Sequence, residues 1–182
     1  MCRSGGVKEE KVVATLKAKG PVVQAMTFSG DGKSLAVGYG DGTIRVWDVK
    51  TERETARLAG NPKLVSALAF EPGDRTLLST GVGRVVCRWD LTTRKLTAMT
   101  SLKGAAEPNR LAFGPGLATL TMVDKDGLSV WDTKTGARVS NAKVGWVFAF
   151  SADGKWIAAE PSDDKAKPSS IQVWVVGKPA DK

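Results

Sequence analysis

The chain has 182 residues, 42% of them apolar and 25% charged, with a formal net charge of +8, two cysteines and no histidine. Such a length can bury a core, and the balance is that of an ordinary soluble domain, without a run of 18 or more apolar residues to cross a bilayer as a helix. The missing histidine removes the commonest general base, the Ser/His and Cys/His nucleophile pairs and the commonest transition-metal ligand, while Cys2 and Cys87 offer neither a disulfide framework nor a CxxC metal site.

The N-terminus, MCRSGGVKEEKVV, lacks the apolar centre of a signal peptide, with Glu9 and Glu10 where it would lie, and a cytoplasmic protein is expected. Residues 1–7 read as disordered and EEKVVATLKA (9–18) as an outer strand, within a segment 8–19. From there the chain repeats itself. VVQAMTF is a short apolar strand, SGDGKS a turn, LAVGY a second strand, GDG another turn and TIRVWDV a third strand, before the more polar ETARLAG. The next unit reads LVSALAF, TLLSTG, VVCRWDL and KLTAMTSL. The third reads NRLAF, ATLTMV, LSVWDT and ARVSNAK, and the fourth WVFAF, WIAAE and IQVWVV. Cys87 lies inside the apolar VVCRW and is expected to be a small core residue.

Trp47, Trp89, Trp131 and Trp174 mark the period, standing 42, 42 and 43 residues apart, and Asp48, Asp90 and Asp132 follow the first three. Phe28, Phe70, Phe113 and Phe150 precede them by 19, 19, 18 and 24 residues. The expected boundaries are 20–60, 61–103, 104–143 and 144–177, with a tail at 178–182. A sheet of four short antiparallel strands, apolar on both faces, cannot bury itself, and radial stacking of equivalent sheets solves that problem at this repeat length.

FSGDGK (28–33), FSADGK (150–155) and GDGTIRVWD (40–48) closely resemble the repeat consensus of WD40 proteins, and the resemblance extends over roughly residues 8–176. It implies an all-β, WD40-type β-propeller of four blades with four antiparallel strands each. The N-terminal strand would complete the last blade, because the chain ends on what reads as a third strand. Rings of this family usually have about seven or eight blades. Three arrangements are therefore open: a fragment of a longer propeller, two chains joined into an eight-bladed ring, or a closed four-bladed monomer.

The sequence departs from the family at the Gly-His position, which reads Gly20-Pro21, Gly60-Asn61, Gly104-Ala105 and roughly Lys143-Val144. The turn aspartate six residues before tryptophan survives as Asp41, is Gly83 in the second unit and is displaced in the third. Cohesion is therefore expected to come mainly from apolar packing. Arg88 stands where the first unit has Val46, which predicts a shifted strand or a guanidinium reaching the sheet edge. The polar stretch EPSDDKAKPSS (160–170) lengthens a turn of the fourth unit.

What the resemblance implies for function is a non-catalytic scaffold that binds a protein partner through its loop face, with no cofactor, no metal and no membrane. Its candidate contact residues stand where inner strands begin and at the turns before each WD strand: Gln24, Ser66, Asn109, Arg110 and Trp146, with Tyr39, Arg84 and Lys125. Trp146 replaces the small polar residues of the other units and is either an anchor or a filler between blades. The WD aspartates read as turn and strand-end acceptors. An enzyme would draw on Asp41, Asp124, Asp126, Glu160, Asp163 and Asp164, but these lie in turns beside Lys or Gly, and the 160–164 segment lacks the alternating carboxylates of calcium loops. The basic excess sits in residues 1–19 and 61–103, scattered and without interleaved aromatics, so binding of nucleic acid or an acidic partner is the weaker alternative.

Overall fold

The computed structural model describes residues 15–16, 20–108, 110–124, 127–142, 144–151, 156–161 and 171–175. They form meanders, each strand pairing antiparallel with the next in sequence. The first sheet holds β1 (Val23–Phe28), β2 (Ser34–Tyr39), β3 (Ile44–Asp48) and β4 (Arg53–Leu58). The second holds β5 (Val65–Phe70), β6 (Thr76–Gly81), β7 (Val85–Asp90) and β8 (Lys95–Ser101). The third holds β9 (Arg110–Phe113), β10 (Thr119–Asp124), β11 (Gly127–Asp132) and β12 (Arg138–Ala142), and the fourth β13 (Val144–Phe150), β14 (Trp156–Pro161) and β15 (Gln172–Val175). The outer strand expected at 8–19 lies outside the described residues except for 15–16. Among the described residues no helix is long and apolar enough to cross a membrane.

Local chemistry explains the turns. In SGDGKS the Asp31 carboxylate accepts from Ser29 Oγ at 2.8 Å and from the Lys33 N–H at 3.0 Å, closing the loop between β1 and β2. Each WD aspartate does the same in the turn after the third strand of its sheet. Asp48 accepts the backbone N–H and hydroxyl of Thr51 at 2.7 and 2.8 Å, Asp90 those of Thr93 at 2.6 and 3.0 Å, and Asp132 those of Thr135 at 2.7 and 2.9 Å. Asp41 holds the β2–β3 turn through Thr43. Gly42 is obligatory there: its φ is +83°, and a Cβ would stand 2.5 Å from the Asn61 carbonyl oxygen of the second sheet.

The sheets stack face on face. Strands β1 and β2 pack on β5, β5 on β9, and β11 on β13. Each sheet thus presents a leading face to the sheet before it and a trailing face to the one after. Trailing Ala36, Ile44, Val46 and Leu58 of the first sheet meet leading Val65, Leu68, Leu77 and Trp89 of the second. Trailing Leu78 and Val86 of the second then meet leading Leu120, Met122 and Trp131 of the third. No comparable strand packing joins the fourth sheet back to the first among the described residues.

Two sequence expectations are refined here. Arg88 keeps its register opposite Leu78, so its strand is not shifted, and its guanidinium pairs with Glu71. Cohesion is not left to apolar packing alone: in the second sheet Trp89 Nε1 donates to Ser79 Oγ at 2.8 Å, and Ser79 donates to Asn61 Oδ1 at 3.0 Å. Asn61 occupies the Gly-His position, so its amide oxygen takes over the acceptor role there. In the third sheet Trp131 Nε1 donates instead to Ser129 Oγ at 2.9 Å.

Candidate partner-binding face

The inner strands β1, β5 and β9 begin on one rim of the stack, which also carries the β2–β3, β6–β7 and β10–β11 turns. Gln24 is exposed on this rim, its side-chain amide beside the Gly40 turn. Ser66 is half-buried at the start of β5, and Arg110 is exposed at the start of β9, its guanidinium over the Phe148 ring at 5.7 Å from the centroid. The structure therefore places Gln24, Ser66 and Arg110 on consecutive strands that pack against one another. Asn109, Lys125 and the Trp146 side chain lie outside the described residues, as do Asp126, Asp163 and Asp164 and the Glu160 side chain.

Arg84 is exposed, but its guanidinium donates to the Ala105 carbonyl at 2.8 Å and ties the second sheet's turn to the loop leading into the third. Tyr39 corrects the expectation that it contacts a partner. It is fully buried on the leading face of the first sheet with Val37, Trp47 and Leu16. Alternation along β2 accounts for this, since Tyr39 shares a face with Leu35 and Val37.

Beside Tyr39, buried Arg45 stacks over its ring at 5.1 Å and stands 3.7 Å from Glu54. Tyr39 Oη, Arg45 Nε and Trp47 Nε1 are all buried, and none has a hydrogen-bond partner among the described residues. Leaving such a group unpaired costs on the order of 1–3 kcal/mol. The equivalents of Trp47 in the next two sheets find serine acceptors. The first sheet has Val37 and Arg45 at those positions.

The opposite rim holds a feature that strand periodicity did not reveal, a cleft of about 640 Å³ across the first three sheets. Phe28 and Phe70 line it together with Asp31, Glu71, Asp74 and Leu117. Its carboxylates are engaged: Asp74 accepts the Gly30 and Asp31 N–H groups at 2.7 and 3.1 Å, bridging two sheets, and Glu71 pairs with Arg88. Cys87 is buried, and desolvation pushes its thiol up to about 11, as befits a core residue.

Four meanders stacked face to face, each turning on a W-D pair or its remnant, define a β-propeller repeat protein. The WD domain, G-beta repeat family model matches residues 10–48. The chain is 25% identical over 132 residues to Protein TOPLESS-RELATED PROTEIN 2 of Oryza sativa, covering 68% of this chain and 12% of that protein. It is 31% identical over 116 residues to Transducin beta-like protein 3 of Mus musculus (62% and 14%), and 28% identical over 152 residues to WD repeat-containing protein 26 homolog of Arabidopsis thaliana (76% and 25%). It thus spans between about an eighth and a quarter of the length of these relatives. Among solved structures, the computationally designed Ika4 protein superposes with a TM-score of 0.65 at 24% identity, covering 92% of this chain and 99% of that one. Residues 10–48 thus match a WD40 repeat, and the chain is similar to WD-repeat proteins over most of its length.

Proposed function

We propose that the chain is a non-catalytic scaffold that binds a protein partner through the rim on which its inner strands begin, as part of a completed propeller ring. The observation that carries this reading is the convergence of Gln24, Ser66 and Arg110 from three successive blades onto one rim. A surface assembled from several blades can follow a partner that no single sheet could hold. The turn carboxylates of the first three sheets support the same reading. Asp41, Asp48, Asp90 and Asp132 accept hydrogen bonds from the threonines of their own turns and act as structural acceptors.

Two charge-altering variants test the reading, Gln24→Glu with Arg110→Glu on one rim and Lys33→Glu with Asp74→Ala on the other. Capture of partners from native extract should fall at least about tenfold for the first pair, a loss of roughly 1.4 kcal/mol, and hold for the second. Loss confined to the second pair would move the binding face to the rim with the cleft.

A further inference from the structure

The repeat supplies its own control for what a covered blade face looks like. Three residues before each tryptophan stand Ile44, Val86, Leu128 and Ile171, and on the first three sheets these trailing positions are 0–4% exposed, whereas Ile171 is 76% exposed. One residue before tryptophan, Val46 and Val130 are buried and Val173 is 60% exposed. On the same trailing face Trp156 is 47% exposed, at a position that is Ser34, Thr76 or Thr119 in the other sheets. The leading faces show the converse. Leu68 and Leu111 lie in blade-to-blade contacts, and so do Phe70 and Phe113, but their first-sheet equivalents Met26 and Phe28 are 65% and 59% exposed.

Both ends of the arc therefore present apolar surface of the kind that the chain buries at its internal junctions, at the first sheet along β1, since the rest of that leading face, Val37, Tyr39 and Trp47, is buried with Leu16. The two surfaces are opposite in kind: a trailing face at the fourth sheet and a leading face at the first. Among the described residues of one chain no comparable strand packing joins them. Tyr39 Oη, Arg45 Nε and Trp47 Nε1, buried and without a hydrogen-bond partner among the described residues, lie on that same leading face.

We propose that a second copy of the chain covers both faces. Trp156, Ile171 and Val173 of each copy seat on Met26 and Phe28 of the other, and two identical junctions related by a two-fold axis close an eight-bladed ring. A trailing face that fits a leading face generates either a closed ring or an open filament. For four blades whose end faces do not pack on each other among the described residues, the two-copy ring is a closed solution. Continuity with the internal junctions argues for this occupant, because Ile171 and Val173 repeat the part of Ile44 and Val46, and Met26 and Phe28 the part of Leu68 and Phe70.

Sedimentation equilibrium of the 182-residue chain between about 1 and 50 µM tests it. The expected mass is twice the 19.3 kDa of one chain, independent of concentration over most of that range. Met26→Glu and Val173→Lys, both at exposed positions and each tested alone, should halve the mass while the circular dichroism spectrum is unchanged. A wild-type monomer that unfolds cooperatively would overturn the proposal and leave the faces to other blades or to the chain's own N-terminal segment. So would a mass that climbs without limit, or a dimer that both variants leave intact. The rim variants Gln24→Glu and Arg110→Glu should not alter the mass, so loss of partner capture and loss of assembly are read separately.

Discussion

The indole of Trp89 donates its N–H to the Ser79 hydroxyl at 2.8 Å, both groups fully buried, and the Ser79 O–H donates in turn to Asn61 Oδ1. This chain of two bonds crosses from the WD strand through β6 to the loop before β5, a connection for which the family consensus uses histidine. It is the polar element that specifies the second blade.

Ser79→Ala should therefore lower stability by about 1–3 kcal/mol, because it leaves the Trp89 N–H and the Asn61 carbonyl unpaired in the core. Thr121→Val should do the opposite. Thr121 is fully buried and its hydroxyl finds no partner among the described residues, so an isosteric methyl is expected to raise stability by roughly 1 kcal/mol. Urea denaturation of the two variants beside the wild type checks both signs.

The turn aspartates make stability depend on acid. Backbone N–H donors of Thr51, Thr93 and Thr135 hold the carboxyls of Asp48, Asp90 and Asp132 below their ordinary value of 3.8, with the threonine hydroxyls reinforcing them, and the Thr43 hydroxyl and N–H do so at Asp41. A group with a lowered folded pKa contributes stability that is complete above its unfolded value and lost as pH falls through its folded value. Tm is expected to hold down to about pH 5 and then decline steadily below about pH 4. The decline should be shallower for Asp48→Asn combined with Asp90→Asn. A profile that is level down to pH 3 would remove these turns from the account.

Burial of Cys87 predicts chemical silence. In a Cys2→Ser background the native protein should resist alkylation at pH 8 and react fully once unfolded in urea. The raised folded value means the buried thiol favours the folded state below the ordinary value of 9.0, with that contribution lost as pH rises through about 11. Rapid native labelling would show that the second blade opens.

Much of this architecture is legible in the sequence because period and chemistry coincide. The tryptophans, the phenylalanines and the Asp-x-x-Thr turns repeat in step, and each turn recurs with the same acceptors in the structure. The core role of Asn61 is not legible in the sequence because it depends on Ser79, which is 18 residues away and adjacent only once β5 and β6 are paired. Tyr39 reads as a surface residue from its place beside a turn, whereas alternation with Leu35 and Val37 puts it inward. In the sequence Trp156 is simply part of the apolar strand WIAAE. Aligning it with Ser34, Thr76 and Thr119 marks it as the deviant position, but its exposure depends on which blade follows the fourth, and that is a property of the assembly.

Which first blade the fourth blade meets decides the assembly. A chain carrying Met26→Cys and Val173→Cys, in a background lacking Cys2, treated with a short bismaleimide at low micromolar concentration, asks this directly. The prediction is a covalent dimer on a denaturing gel, formed by cross-links between chains. A cross-link within single chains, running as a compact monomer, would mean that four blades close on themselves and would contradict the account.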